Sequence, residues 1–152
     1  MKRKHRFTIL RQLKTFNDPA LKVVCKETDL ETAVPIITRM FQVLSATDNG
    51  AGIAANQIGE DIRVIVIRPR KGVMFAMVNP VRVSFSPQTT KEAEGCLSYP
   101  GRFKQIERFK SIEVKYMDEK GCVGTEDFEG KTARIIQHEM DHLDGKCLVV
   151  EK

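Results

Sequence analysis

Thr132-Ala133-Arg134-Ile135-Ile136-Gln137-His138-Glu139-Met140-Asp141-His142-Leu143 predicts a helix with two unlike faces. Ala133, Ile136, Met140 and Leu143 recur at helical spacing and make an apolar stripe. Gly145 fits the C-terminal stop. The other face carries His138-Glu139-Met140-Asp141-His142, an HExxH pattern. At about 100° per residue, positions four apart differ by about 40° in azimuth and one turn in height. Both imidazoles can therefore reach one ion. Glu139 lies about 60° from His142 on the same side, where its carboxylate can face a water without ligating the metal. The bland alternative is two imidazoles and a carboxylate on a solvated face. Two of the chain's three histidines fall at ligand spacing, which favours the metal.

A catalytic metal normally has three protein ligands and one open position. Downstream of His142 only ten residues remain, with Asp144, Cys147 and Glu151 as candidates for the third ligand. Upstream, Cys96 stands in Glu94-Gly95-Cys96-Leu97-Ser98, where a glycine lets backbone approach a ligand closely. A thiolate suits a borderline ion. A free cysteine is also commonly a small core residue, and both readings of Cys96 stand at this level. Cys25, Cys122 and Cys147 lie in apolar or strand-like stretches and read as small buried thiols.

Outward from the helix, the rest of the chain reads as strands and one further helix. Glu31 to Thr47 carries Val34, Ile37, Phe41 and Leu44 at helical spacing, with Pro35 in a first turn and Asp29 or Thr32 as cap. Asp48-Asn49-Gly50 breaks it, and Gly50-Ala51-Gly52-Ile53-Ala54-Ala55-Asn56-Gln57 reads as a tight loop into a strand. Ile62 to Ile67, Val73 to Val78 and Val81 to Phe85 read as separate strands, the last two interrupted by Asn79-Pro80. Ile112, Val114 and Tyr116 alternate with Glu113 and Lys115 as in a half-buried strand. Asp118-Glu119-Lys120-Gly121 turns it into a hairpin with Cys122 to Phe128, and Cys147 to Val150 reads as a last short strand. The sum is an α+β fold: antiparallel sheets around a central HExxH helix, with a second, N-terminal helix.

With 152 residues and no repeat or linker, the chain reads as one catalytic domain, residues 1–152. Charged residues make up 30% and no apolar run approaches a membrane span, so a membrane partner is not expected. The four cysteines form no CxxC pair and point to a reducing compartment. The net charge is +5, with Lys2, Arg3, Lys4, Arg6, Arg11 and Lys14 concentrated in residues 1–14. Those residues read as a solvated, mobile terminus; no aromatic interleaving supports a specific nucleic-acid surface. The fold-like sequence begins too early to leave much room for a transit peptide.

Three motifs in order resemble those of the peptide deformylases: Gly50 to Gln57, Glu94-Gly95-Cys96-Leu97-Ser98, and Gln137-His138-Glu139-Met140-Asp141-His142-Leu143-Asp144-Gly145. The resemblance runs from about Phe16 to Val150. It implies a metal held by Cys96, His138 and His142, natively Fe(2+), with Ni(2+), Co(2+) or Zn(2+) able to substitute. It implies Glu139 as general base and then acid, and Gln57 with the Leu97 N–H as oxyanion donors. Ala51, Gly52 and Gly95 would run beside the substrate, Ile135 would line a methionine pocket, and Arg108 would orient Glu94. The implied substrates are N-formylmethionyl nascent peptides, in the cytoplasm, acted on by a monomer.

Many bacterial members continue into a long helix that helps them dock on the ribosome. This sequence stops at Lys152, so weak ribosome association is the most it suggests, with a phage, organellar or other short subclass as source. Lys131 and Thr132 also stand where members are often apolar. Two other functions compete. A HExxH endopeptidase would cut internal bonds and be indifferent to Cys96; a non-catalytic metal-binding protein would hold metal and release no formate.

Overall fold

A computed structural model describes residues 2–151. Asp29 accepts a hydrogen bond from the Thr32 N–H at 2.7 Å and starts a helix over Leu30–Ala46. Its apolar residues close over one face of a sheet. Gly52–Ala54 (β1), Val64–Arg70 (β2), Val73–Phe85 (β3), Ser111–Met117 (β6) and Val123–Glu129 (β7) form that sheet, antiparallel throughout, in the order β1-β2-β3-β6-β7. Thr89–Gly95 (β4) and Phe103–Phe109 (β5) make a separate antiparallel hairpin. Numbering helices in chain order, Arg3–Leu10 is α1, Leu30–Ala46 is α2 and Gly130–Leu143 is α3.

The Val-Ile-Val-Ile run of β2 explains the layering. Successive strand residues face opposite sides. Val64 and Val66 pack with Ile37, Met40, Val43 and Leu44 of α2. Ile65 and Ile67 pack with Ala133, Ile136 and Leu143 of α3. The central sheet is thus apolar on both faces, and each such side chain contributes roughly 1.5–3 kcal/mol on burial. Helix α3 also touches β1, β5, β6 and β7, which makes it the central element.

Several expectations need correcting. Residues 73–85 are one strand, because Asn79 takes φ 52° and the register shifts between Val78 and Val81, so Pro80 sits in a bulge where its missing N–H breaks no ladder bond. The Asn79 side chain locks the bulge by bonding the N–H and C=O of Thr28. Cys147 to Val150 is a turn, with the Val150 N–H donating to Cys147 O, and among the described residues no strand pairs with it. Pro35 lies in the second turn of α2 rather than its first, and Val34 is exposed while Ala33 and Met40 fill the core. Cys122 is exposed at the hairpin turn, not buried. Part of the basic start is the helix α1, which buries Ile9 and joins α2 through Arg6, whose Nε donates to Ala46 O at 2.8 Å and which also pairs with Asp48 just beyond α2. Among the described residues, no helix is long and apolar enough to cross a membrane.

Candidate metal centre and active site

Helix α3 buries a polar face. Arg134, Gln137, His138, Glu139 and His142 are all buried, so each needs a partner or a task. Gln137 spends its amide on backbone: it accepts from the Phe109 N–H at 3.1 Å and donates to Phe109 O at 2.9 Å, tying α3 to β5. At the other end, Arg63 and the Cys25 N–H donate to Leu143 O, and the Asn56 amide donates to His142 O, satisfying the terminal carbonyls. Both ends of the HExxH turn are therefore anchored.

Cys96, His138, His142 and Cys147 each bring one donor atom into a group in which all four atoms lie within 4.8 Å of one another. The Cys96 Sγ is 3.2 Å from His142 Nε2. His138 has its Nδ1 2.9 Å from Glu94 Oε1, which leaves Nε2 as the free nitrogen. Glu94 is itself gripped by Arg108 through Nε at 3.0 Å and Nη2 at 2.9 Å, and by Arg134 Nη1 at 2.6 Å. Burial opposes the charge on Glu94, but His138 and Arg108 outweigh it and hold its pKa at about 2. Burial likewise opposes a charged His138, yet Glu139 and Glu94 raise it to about 9. A metal ion competes with that proton for the ring.

One thiol and two imidazoles with a buried carboxylate behind one ring fit a divalent transition ion. Cys96 and Cys147 are free thiols joined by a hydrogen bond, which with the histidines favours one thiolate, while burial beside it opposes a second.

Glu139 is 4% exposed and its Oε1 has no hydrogen-bond partner. Burial pushes its pKa up, with His138 and His142 acting against that. Its Oε2 would lie 2.8 Å from a Cβ on Gly52, so glycine is what lets β1 pass the carboxylate. Ile135 borders the same spot, its Cγ2 2.9 Å from that Cβ, and belongs to the core beneath α3.

Gln57, 1% exposed, accepts from the Ala54 N–H at 2.8 Å; its amide nitrogen donates to Ser98 Oγ at 3.0 Å and lies 3.8 Å from Cys96 Sγ. Leu97 is half-buried in the turn after Cys96. Ala51 precedes β1, and its carbonyl accepts from the Arg68 N–H. Gly95 ends β4 opposite Phe103 and is exposed. Arg108 is a buried ion-pair partner, not a surface one.

The sequence reading missed one participant and set another aside. Arg134 looks like a solvated helix residue, yet it pairs with Glu94 and with Thr90 O. Cys147, which the sequence offers both as a downstream ligand candidate and as a core thiol, joins the donor group and is 7% exposed. A concavity of about 580 Å³ lies against Arg63, Arg108, Gln137 and Asp141 and holds none of the four donors. The donor chemistry, not cavity size, locates the site.

A helix-borne HExxH with an upstream thiol, set among antiparallel sheets, defines an α+β metal-dependent hydrolase. The family model described as "Polypeptide deformylase" matches residues 10–151. Peptide deformylases of Pseudothermotoga lettingae and Fusobacterium nucleatum are each 37% identical to this chain, over 93% of it and 82% of their own lengths. The crystal structure of peptide deformylase from Thermotoga maritima matches with a TM-score of 0.84 at 37% identity, covering 90% of this chain and 93% of that one. A probable peptide deformylase from Synechococcus phage S-SSM7 gives 0.84 at 33% identity, covering 90% and 96%. The chain belongs to the peptide deformylase family.

Proposed function

We propose that the protein removes the formyl group from N-formylmethionyl peptides, releasing formate and a free α-amine, with iron(II) held by Cys96, His138 and His142. The observation that carries this reading is a buried carboxylate, Glu139, with one unpartnered oxygen, on the same helix as two of the converging donors.

When bound, the ion lowers the pKa of water and polarises the formyl oxygen. Glu139 takes a proton from the attacking water and returns it to the leaving amine. One carboxylate serves both steps best when its pKa is raised toward neutrality, the direction burial drives it. The Gln57 amide and the Leu97 N–H donate to the oxygen as it becomes negative. The Ala54 N–H fixes the Gln57 amide so that its nitrogen faces Cys96. Loss of one such donor costs on the order of 10²–10³ in rate.

Strand β1 is an edge strand, paired only with β2 in its sheet. An extended peptide can add to such an edge, with Ala51, Gly52 and Gly95 beside it and Ile135 against the methionine side chain. A pocket that crowds the formyl carbon excludes acetyl by clash. A thiolate with two imidazoles also suits nickel, cobalt or zinc. The same reading makes residues 1–152 one catalytic domain and the protein a cytoplasmic monomer that meets nascent peptides and associates weakly with the ribosome.

The test is a comparison of formyl-Met-Ala-Ser, its N-acetyl analogue and a longer internal-bond substrate, with iron-loaded protein under anaerobic conditions. Formate from the first alone is expected. Internal cleavage without formate would make it an endopeptidase; metal without either product would make it a non-catalytic binder.

A further inference from the structure

We infer that the outer face of α1, with the turn that follows it, is a docking surface for single-stranded RNA. Lys2, Arg3, Lys4, Arg6, Arg11 and Lys14 all precede the first acidic residue, Asp18. Together they exceed the whole net charge of +5, so the remainder of the chain is close to neutral. Among the described residues, Arg6 alone of these cations forms an ion pair, with Asp48. Lys2, Arg3, Lys4 and Arg11 are exposed. Lys2, Arg3 and Lys4 crowd the first turn of α1, which holds no acidic residue, although acidic side chains are the stabilising choice there. These cations oppose helix formation, and a polyanion laid across them relieves the repulsion.

The patch is a fixed part of the fold rather than a frayed tail. Ile9 is buried, and Leu10 and Leu13 pack beside it against α2. The Arg39 Nε donates to Gln12 Oε1 at 2.9 Å, and the Lys14 N–H donates to Gln57 O at 2.7 Å. On the outer side Phe7 is 62% exposed, with the Arg11 guanidinium 5.1 Å over its ring. Arg3, Phe7 and Arg11 follow one another at four-residue steps, so they share one face. Phe7 thus sets an aromatic among the cations, which the sequence reading did not credit. An aromatic ring with a planar cation is a platform for an unpaired base, and the cations around it neutralise phosphates. Stacking and phosphate contacts read no base edge, so binding without sequence preference follows. A bilayer is the poorer occupant, because Ile9, Leu10 and Leu13 face the core and Phe7 is the one large apolar residue that α1 turns outward. Charge and stacking call for a nucleic-acid strand; the choice of RNA rests on the proposed substrate, a nascent peptide, whose synthesis takes place on RNA.

The probe is a short fluorescein-labelled oligouridylate, titrated with the iron-loaded full chain while anisotropy is read. Wild-type log Kd is expected to rise with log salt at a slope of about 3, as for four or five phosphate contacts on a single strand. Arg3→Gln, Lys4→Gln and Arg11→Gln combined should bind at least roughly tenfold more weakly, with a slope smaller by about 2. Phe7→Ser should lose roughly tenfold through the stacking platform. Unchanged affinity in the triple variant overturns the inference. So does tighter binding of the deoxy strand than of RNA, or binding to phosphatidylserine vesicles with none to RNA. Should the triple variant fail to fold, photocrosslinking of the wild type to thiouridine-substituted RNA decides. Crosslinks within residues 2–14 support the surface, and crosslinks elsewhere alone overturn it. Formate release from formyl-Met-Ala-Ser is scored separately and should be the same in wild type and triple variant. RNA binding without formate would leave the surface standing and sink the deformylase reading, and formate without RNA binding would do the reverse.

Discussion

Glu94 and His138 meet at 2.9 Å, carboxylate Oε1 to ring Nδ1. Because the carboxyl is held at about 2, it is an acceptor, so Nδ1 carries the proton and Nε2 is left to bind metal. The two residues sit 44 apart in sequence, and their bond joins the β4–β5 hairpin to the HExxH helix. Replacing the carboxylate in Glu94→Gln is expected to lower metal affinity roughly 10–100-fold. Chelator competition measures it, and unchanged affinity would refute the orienting role.

The same carboxylate gives an acid-sensitive contribution to stability. Its pKa falls from 4.5 to about 2 on folding, facing His138, Arg108 and Arg134. The unfolded chain thus binds the proton more readily. The contribution is full above the unfolded value of 4.5 and is lost as pH falls through about 2. The shift corresponds to about 3 kcal/mol. Denaturation of the metal-free protein between these pH values should show a slope in the wild type that Glu94→Gln flattens; parallel curves would count against it.

Arg134 donates to Glu94 at 2.6 Å and to Thr90 O at 2.7 Å from a buried position. Arg134→Leu leaves the carboxylate with Arg108 and strips Thr90 O of its donor. A loss of about 3 kcal/mol is expected, read from the urea midpoint. A shift within error would mean that Arg108 and His138 suffice for Glu94.

Gly52→Ala sets a methyl 2.8 Å from Glu139 Oε2 and 2.9 Å from Ile135. Strand and carboxylate cannot both keep their places. Turnover is expected to fall about 10²-fold, since displacement of a reacting group by an ångström costs that much, while bound metal per chain stays at the wild-type level. Full turnover would show that neither the carboxylate nor the edge strand needs its present position.

Much of this was legible because it rests on short periodic patterns. The HExxH spacing placed both imidazoles on one side of α3, and alternation in Ile112, Val114 and Tyr116 gave β6 and its hairpin. The Glu94–Arg108 pairing also follows the motif resemblance. What was not legible depends on contacts distant in sequence. The hairpin from Thr89 to Phe109 carries few apolar residues, and Glu94 is the one residue buried in β4, so no stripe announces it. Asn79 joins two apparent strands only because Thr28 bonds its side chain. Arg134 becomes a buried ion-pair partner, and Cys147 a neighbour of the histidines, only once the hairpin and the Gly145 turn are folded against α3. Local propensity carries none of that information.

The most direct measurement restores iron(II) stepwise to the metal-free chain and to Glu139→Gln, following formate release from formyl-Met-Ala-Ser alongside bound metal. In the wild type, formate release should climb with bound iron to a plateau at one ion per chain. Glu139→Gln should take up the same iron and lose on the order of 10²–10⁴ in rate. Formate release that is indifferent to iron, or a Glu139→Gln variant as fast as the wild type, would contradict a metal-dependent reaction in which this carboxylate moves the proton.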